Sequence, residues 1–268
     1  MCTKTYFEVG SPAYATWSEC MYLSLPSKVA LAQLPTPLEP LHRLSQHLGG
    51  PKIWLKRDDL SGTALSGNKV RKLEYIFAQA KSDAAHVIMT CGGVQSNHCR
   101  ATALAAAKLG LECHLILRGR ATTTLDGNTL LAKLSGARLS YYEPHDYQKN
   151  AEQIITSWRA HYAAQGKTLY WTGTGASDEV GLWGYYSAAK ELLNDFKRNN
   201  IQPSYVLCAT GSGGTHCGLA LGFHHLALDG AETPKVKAYA VCDNEQYFLT
   251  KGAEDIARWY QRYARSAP

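Results

Sequence analysis

The chain has 268 residues, 45% of them apolar, which is enough to bury a large core and long enough for two domains. Its formal net charge of +6 is modest, and its basic residues are scattered apart from Arg258, Arg262 and Arg265, which argues against nucleic acid as a partner. No apolar run approaches the roughly 18–20 residues that span a bilayer, and an N-terminus with Lys4, Glu8 and no arginine before Arg43 fits neither a secretory signal nor an Arg-rich transit peptide. The cytosol is the expected location, with an organelle left open.

Taken in order, strand-like and helix-like segments alternate. Ile53 to Lys56 reads as a strand, Lys72 to Ala80 as a helix, His86 to Cys91 as a strand and Asn97 to Leu109 as an Ala-rich helix. Cys113 to Leu117 (strand), Thr129 to Leu134 (helix), Leu139 to Tyr142 (strand) and Ala151 to Ala164 (helix) continue the series. Then come the helix Tyr185 to Arg198, the strand Tyr205 to Ala209, the helix Leu219 to Leu228, the strand Lys237 to Cys242 and a helix-like basic stretch, Arg258 to Pro268. Arg118 to Gly127 and the glycine-rich Gly173 to Gly184 are the turn regions. The alternation predicts an α/β fold with parallel sheet.

Eight cysteines raise disulfides and zinc, but no C-x-x-C pair occurs, and Cys91, Cys99, Cys113, Cys208 and Cys242 are expected to be buried free thiols. No H-E-x-x-H is present, His224–His225 reads as one side of a helix, and no metal site is expected.

Three segments carry chemistry. Ser66-Gly-Asn-Lys-Val-Arg-Lys72 sets Lys69 after a small turn and before an amphipathic run. A lysine amine attacks a carbonyl only when deprotonated, and the cationic neighbours Arg71 and Lys72 are expected to push its pKa down. Cys91-Gly-Gly-Val-Gln-Ser-Asn-His98 lies between a strand and a helix, where α/β proteins place ligands, although Ser96 or Asn97 there is also simply a good helix cap. Ala209-Thr-Gly-Ser-Gly-Gly-Thr215 offers backbone N–H groups at the positive end of a helix dipole, a ready phosphate site. A Schiff-base lysine with a phosphate cradle points to pyridoxal 5'-phosphate. A nucleotide-binding Rossmann reading is weaker, because His216 stands where G-x-G-x-x-G needs its last glycine.

In this order the motifs resemble the D-cysteine desulfhydrase and 1-aminocyclopropane-1-carboxylate deaminase family. The matching segments are Pro35-Thr-Pro-Leu-Glu39, Ile53-Trp-Leu-Lys-Arg-Asp-Asp-Leu60, Ser66-Gly-Asn-Lys-Val-Arg-Lys-Leu-Glu74, Gln95-Ser-Asn-His98 and Thr210-Gly-Ser-Gly-Gly-Thr-His-Cys-Gly-Leu219. The resemblance implies two open, mostly parallel twisted sheets with flanking helices, the type II fold of pyridoxal-phosphate enzymes, and a homodimer. It implies a large cofactor-binding domain from residues 1–73 and 184–268 and a small domain from 74–183. It also assigns roles: Lys69 holds the cofactor covalently and acts at the substrate's Cα. Ser96 is an acid/base or carboxylate contact, and Asn97 contacts the cofactor's phenolic oxygen. His98 joins Ser96 and Asn97 around the substrate, while Thr210, Gly211, Ser212, Gly213, Gly214 and Thr215 hold the phosphate.

His98 and the Thr215–His216 pair resemble the desulfhydrase branch more than the cyclopropane deaminases; the other reading makes both histidines packing residues. The implied activity is β-elimination of D-cysteine to pyruvate, ammonia and hydrogen sulfide. Deamination of 1-aminocyclopropane-1-carboxylate, or cofactor binding with little or no turnover, are the alternatives. Family members continue past the point corresponding to Pro268 with a D-P-V-Y-x-G-K-like motif and a Gly-Gly turn, which supply an active-site tyrosine and a group facing the pyridine nitrogen. The large domain's sheet is therefore expected to show an unpaired edge and an uncovered face.

Overall fold

Two kinds of strand organise the chain, and burial tells them apart. The computed structural model describes residues 6–7, 21–121 and 123–266. In chain order its elements are β1 (Tyr6–Phe7), β2 (Met21–Leu23), β3 (Leu38–Pro40), α1 (His42–Leu48), β4 (Trp54–Lys56), α2 (Asn68–Ser82), β5 (Val87–Gly93), α3 (Asn97–Leu109), β6 (Glu112–Arg118), α4 (Gly127–Leu134), β7 (Arg138–Tyr142), α5 (Pro144–Ala163), β8 (Leu169–Trp171), α6 (Trp183–Arg198), β9 (Tyr205–Thr210), α7 (Gly214–Leu228), β10 (Lys235–Ala240), α8 (Glu245–Tyr263) and β11 (Ala264–Ser266). β5 and β6 are buried along nearly their whole length, as strands covered on both faces must be. They form the middle of a four-stranded, all-parallel sheet ordered β7-β6-β5-β8.

One face of this sheet packs Ile88, Leu115 and Leu117 against α2 and the small residues Ala101, Ala103, Ala105 and Ala106 of α3. The other packs Val87, Met89, Cys91 and Ile116 against Tyr147 and Tyr162 of α5. β9 alternates instead, and pairs in parallel with β10, which β1 flanks antiparallel. The inner face of this second sheet carries Val206 and Val236 onto Leu192, Phe196, Leu219 and Phe223 of α6 and α7. Its outer face leaves Leu207 60% and Tyr205 48% exposed, and β9 has no second neighbour among the described residues. Two open, mostly parallel sheets with flanking helices are thus the architecture.

Several boundaries differ from the sequence expectation, mostly at helix starts. α2, α4 and α7 begin at Asn68, Gly127 and Gly214, inside turns whose first residues are polar or glycine and show no apolar period. α5 begins at Pro144, and the non-helical Asn150 marks the point at which periodicity becomes readable. β10 stops at Ala240, so Cys242 lies beyond the strand and is exposed, not buried; Cys208 is half-buried, while Cys91, Cys99 and Cys113 are buried free thiols. The basic C-terminal stretch belongs to the longer α8, capped by Asn244, whose side chain accepts from the Tyr247 N–H at 2.9 Å. Ala264–Ser266 is a strand paired with β2, not helix; residues 267–268 of the expected helix-like stretch lie outside the described residues.

A buried ion cluster joins Thr36, Lys56 and Asp58 to the helices. Arg71, 2% exposed, donates to Asp58 at 2.8 Å, to Glu191 at 2.9 Å and to the Thr36 hydroxyl at 2.9 Å. Lys56 reaches Glu191 and Asp195 from the other side. Burial works against the Glu191 charge, yet the hydrogen bonds from Arg71 and Lys56 outweigh it and hold its carboxyl down at about 2. Arg71→Ala leaves these carboxylates half-paired in the interior, and the expected loss of unfolding free energy is on the order of 3–5 kcal/mol. Arg71→Lys should recover less than half of it, because one ammonium cannot replace a planar fork. Urea unfolding of the three proteins checks this, and an unchanged midpoint in Arg71→Ala removes the cluster from the account.

Candidate active site

Gly67, at φ +96° and ψ 171°, turns the chain into α2 in a conformation that only glycine adopts freely. Lys69 follows in the first helical turn. Its Nζ donates to the Asn68 Oδ1 at 3.0 Å, and the Asn68 Nδ2 donates to the Thr215 Oγ1 at 3.2 Å, so one asparagine links the lysine turn to the glycine loop. Burial lowers the Lys69 pKa and favours the uncharged amine. The cause differs from the sequence expectation: Arg71 points into its ion cluster, and desolvation, not the neighbouring cations, produces the shift.

The glycine loop leaves β9 at Thr210 and enters α7 at Gly214, with Gly213 at φ +82°. Thr210 stabilises the loop itself, its hydroxyl accepting from the Gly213 N–H at 3.1 Å. The Ser177 hydroxyl accepts from the Gly214 N–H at 3.2 Å and lies 2.8 Å from the Ser212 hydroxyl. Lys72, 1% exposed, donates to the Ser177 Oγ at 3.0 Å and the Gly175 carbonyl at 3.1 Å, both neutral oxygens. Burial, and then the charge of Lys69, push its pKa well down. A Cβ at Gly214 would sit 2.7 Å from the Lys72 Nζ, and one at Gly175 would sit 2.4 Å from the Ser212 Oγ and 3.4 Å from the Lys69 Cε. The loop is therefore a cradle whose floor is a buried amine. Lys72 and Ser177 belong to it although sequence reasoning did not place them there. The available signal was the spacing, since Lys69 and Lys72 are i, i+3 on one helix face.

The polar turn after β5 supplies the third wall. Ser96 caps α3, its Oγ accepting from the Cys99 N–H at 3.2 Å, and a Cβ at Gly92 would come within 2.6 Å of that oxygen. Asn97 is exposed beside it, its Oδ1 accepting from the Asn128 Nδ2 at 2.8 Å. His98 is turned inward and 3% exposed, with its Nε2 2.8 Å from the Thr90 hydroxyl, which itself donates to the Thr172 carbonyl at 2.8 Å. Burial, with the charges of Lys69 and Lys72, holds His98 neutral with a pKa of about 3. Its Nδ1 is buried and has no hydrogen bond among the described residues. His216 is buried away from the cradle, toward the Val236 backbone. A surface cavity of about 730 Å³ lies along α2 and α6, lined by Lys28, Glu74, Tyr75, Lys190 and Glu191, and shares none of these site residues.

A buried-floor anion cradle, a desolvated lysine and a polar helix start at the C-terminal ends of parallel strands define a type II pyridoxal-phosphate fold. The pyridoxal-phosphate dependent enzyme family matches residues 29–264, and the chain belongs to that family. It is 39% identical over 235 residues to the mitochondrial bifunctional D-cysteine desulfhydrase/1-aminocyclopropane-1-carboxylate deaminase of Arabidopsis thaliana, covering 84% of this chain and 57% of the relative. It is 36% identical over 254 residues to the D-cysteine desulfhydrase of Salmonella typhi, covering 88% of this chain and 76% of that protein. A solved 1-aminocyclopropane-1-carboxylate deaminase homologue superposes with a TM-score of 0.76 at 33% identity, over 88% of this chain and 69% of the other. A threonine deaminase at 23% identity and TM-score 0.56 shares the fold.

The residues fit the family's cofactor. Lys72 is a buried amine whose hydrogen bonds among the described residues go to neutral oxygens, and a Cβ at Gly214 would displace it. A phosphate dianion there would offset the cost of burying its charge. The sign follows: a lysine with a lowered folded pKa makes the cofactor-free protein gain stability as pH rises from that value to the unfolded value of about 10.4. Lys72→Met should flatten that slope and hold its melting temperature at neutral pH, while losing the rise in melting temperature that inorganic phosphate gives the parent. Melting curves across pH with and without phosphate read both effects, and an equal phosphate response in the two proteins overturns the assignment.

Proposed function

We propose that this protein is a pyridoxal-phosphate-dependent lyase that eliminates the β-thiol of D-cysteine. With water, the reaction gives pyruvate, ammonia and hydrogen sulfide. The observation that carries the proposal is the pairing of the buried Lys69 amine, its pKa lowered by desolvation, with the Lys72-floored cradle on one helix face. The relatives named for D-cysteine desulfhydration support the substrate. When bound, the cofactor supplies a ring that accommodates the electron pair left at the substrate's Cα.

The chain's own residues do the rest. Lys69 Nζ, whose pKa burial lowers, holds the cofactor and, once freed by the substrate, takes the Cα proton. The Ser96 hydroxyl, already accepting from the Cys99 N–H, keeps its hydrogen for the substrate carboxylate, and the α3 dipole adds to the attraction. Asn97 contacts the cofactor's ring oxygen. His98, neutral and braced on Thr90, lies buried beneath this wall and serves the substrate by supporting Ser96 and Asn97. Gly211, Ser212, Gly213, Gly214 and Thr215 bind the phosphate, with Thr210 fixing their turn. The described residues within 1–73 and 184–268 form the larger domain and those within 74–183 the smaller, with the crevice between them, in a homodimer.

The names of the Arabidopsis relative and of the superposed structure favour 1-aminocyclopropane-1-carboxylate as the second candidate substrate. Borohydride reduction after adding pyridoxal phosphate should leave the adduct on Lys69 by mass spectrometry; an adduct elsewhere, or none, overturns the assignment. D-Cysteine should release pyruvate and sulfide faster than L-cysteine does, and a preference for the cyclopropane substrate would exchange the two readings. Gly213→Asp should weaken cofactor binding at least about tenfold, because it sets a carboxylate and a strained positive φ beside the phosphate. Equilibrium titration of the visible band measures this.

A further inference from the structure

Asn97 is held in one orientation by a residue of another helix. Asn128, in the first turn of α4, donates from Nδ2 to the Gln95 carbonyl at 2.9 Å and to the Asn97 Oδ1 at 2.8 Å. Its backbone N–H donates to the Gln95 Oε1 at 2.8 Å, and its Oδ1 accepts from the Arg100 Nη1 at 3.2 Å. A backbone carbonyl only accepts and a guanidinium only donates, so these two contacts decide which end of the Asn128 amide is nitrogen. Asn128 therefore presents N–H to Asn97, and Asn97 must answer with oxygen. What remains for a ligand at the α3 N-terminus is the Asn97 NH2, which has no hydrogen bond among the described residues. The brace extends to the lysine turn, because Arg100 also donates to the Ser66 carbonyl at 3.1 Å.

We propose that Asn128 is a positioning residue that locks the Asn97 carboxamide nitrogen outward, so that the site donates a hydrogen bond to the anionic ring oxygen of the cofactor. This rests on the reading of Asn97 as a cofactor contact. A half-turn of the amide would put an acceptor against that oxygen, and the lock prevents it.

The test uses variants that make opposite demands. Asn128→Asp keeps the size and converts the Arg100 contact into an ion pair, but both its oxygens accept, so it draws the Asn97 NH2 toward itself and turns the Asn97 oxygen to the crevice. Asn128→Leu removes the lock without reversing it. Visible-band titration of the full chain with pyridoxal phosphate should show about tenfold or more weaker binding for Asn128→Asp and only about two- to threefold for Asn128→Leu. The pH at which the bound cofactor's band changes should rise in Asn128→Asp. In an Asn97→Ala background, Asn128→Asp should have no further effect. A merely structural role predicts the reverse order, because leucine loses every hydrogen bond. Equal weakening, greater weakening by leucine, or an Asn128→Asp effect that persists without Asn97 overturns the proposal. Should Asn128→Asp fail to fold, Asn97→Asp makes the same reversal from the other side of the bond and must show the same loss. A parent chain that takes no cofactor on Lys69 removes both this inference and the function it rests on; a parent that binds, with variants ordered otherwise, removes this inference alone.

Discussion

The Arg71 guanidinium bonds three separated stretches of chain in the interior, and the placement of the site depends on that bond. Asp58 and Thr36 come from the irregular N-terminal region and Glu191 from α6, yet each meets the same side chain. Such a group is costly to bury and more costly to leave unpaired. The start of α2 therefore has little freedom to rotate or slide. With about 100° per residue, Lys69 and Lys72 lie roughly 60° apart on one face, and Arg71 lies well around the helix from Lys69. The same turn thus directs one cation into structure and two amines into the crevice.

The crevice is assembled at the carboxyl ends of β5, β8 and β9, each followed by a turn that brings backbone close to a side chain. At Gly92, Gly175 and Gly214 a single added carbon would collide with Ser96, Ser212 and Ser177 respectively. Small residues here make room for serine hydroxyls and lysine amines at short range. Parallel strands suit this arrangement because every strand-to-helix turn of a sheet opens at the same end.

Much of this was legible in the residues. The near-continuous apolar runs of β5 and β6 and the Ala-rich α3 carry their own periods, and Lys69, Ser96, Asn97 and the glycine loop stand in recognisable turns. Helix starts were less legible because capping turns are polar or glycine and have no period; α2, α4 and α7 all begin earlier than their apolar residues do. β8, with three residues, is too short to show alternation. The contribution of Ser177 depends on a contact with Lys72 across 105 positions, and that of Asn128 on a contact with Asn97 across 31. Long-range partners of this kind leave no local pattern. The Lys69 pKa shift was foreseen in direction but assigned to neighbouring charge, because burial of a side chain is a property of the fold and not of its neighbours in sequence.

Lys72, Ser177 and Gly214 belong to segments that no secondary-structure ladder joins, and a bound dianion would sew them together. A ligand that binds only the folded chain adds about 2.7 kcal/mol at a hundredfold excess over its dissociation constant. The unfolded fraction exposed to proteases then falls by about a hundredfold. Supply of the cofactor would thereby set the lifetime of the folded chain as well as its occupancy.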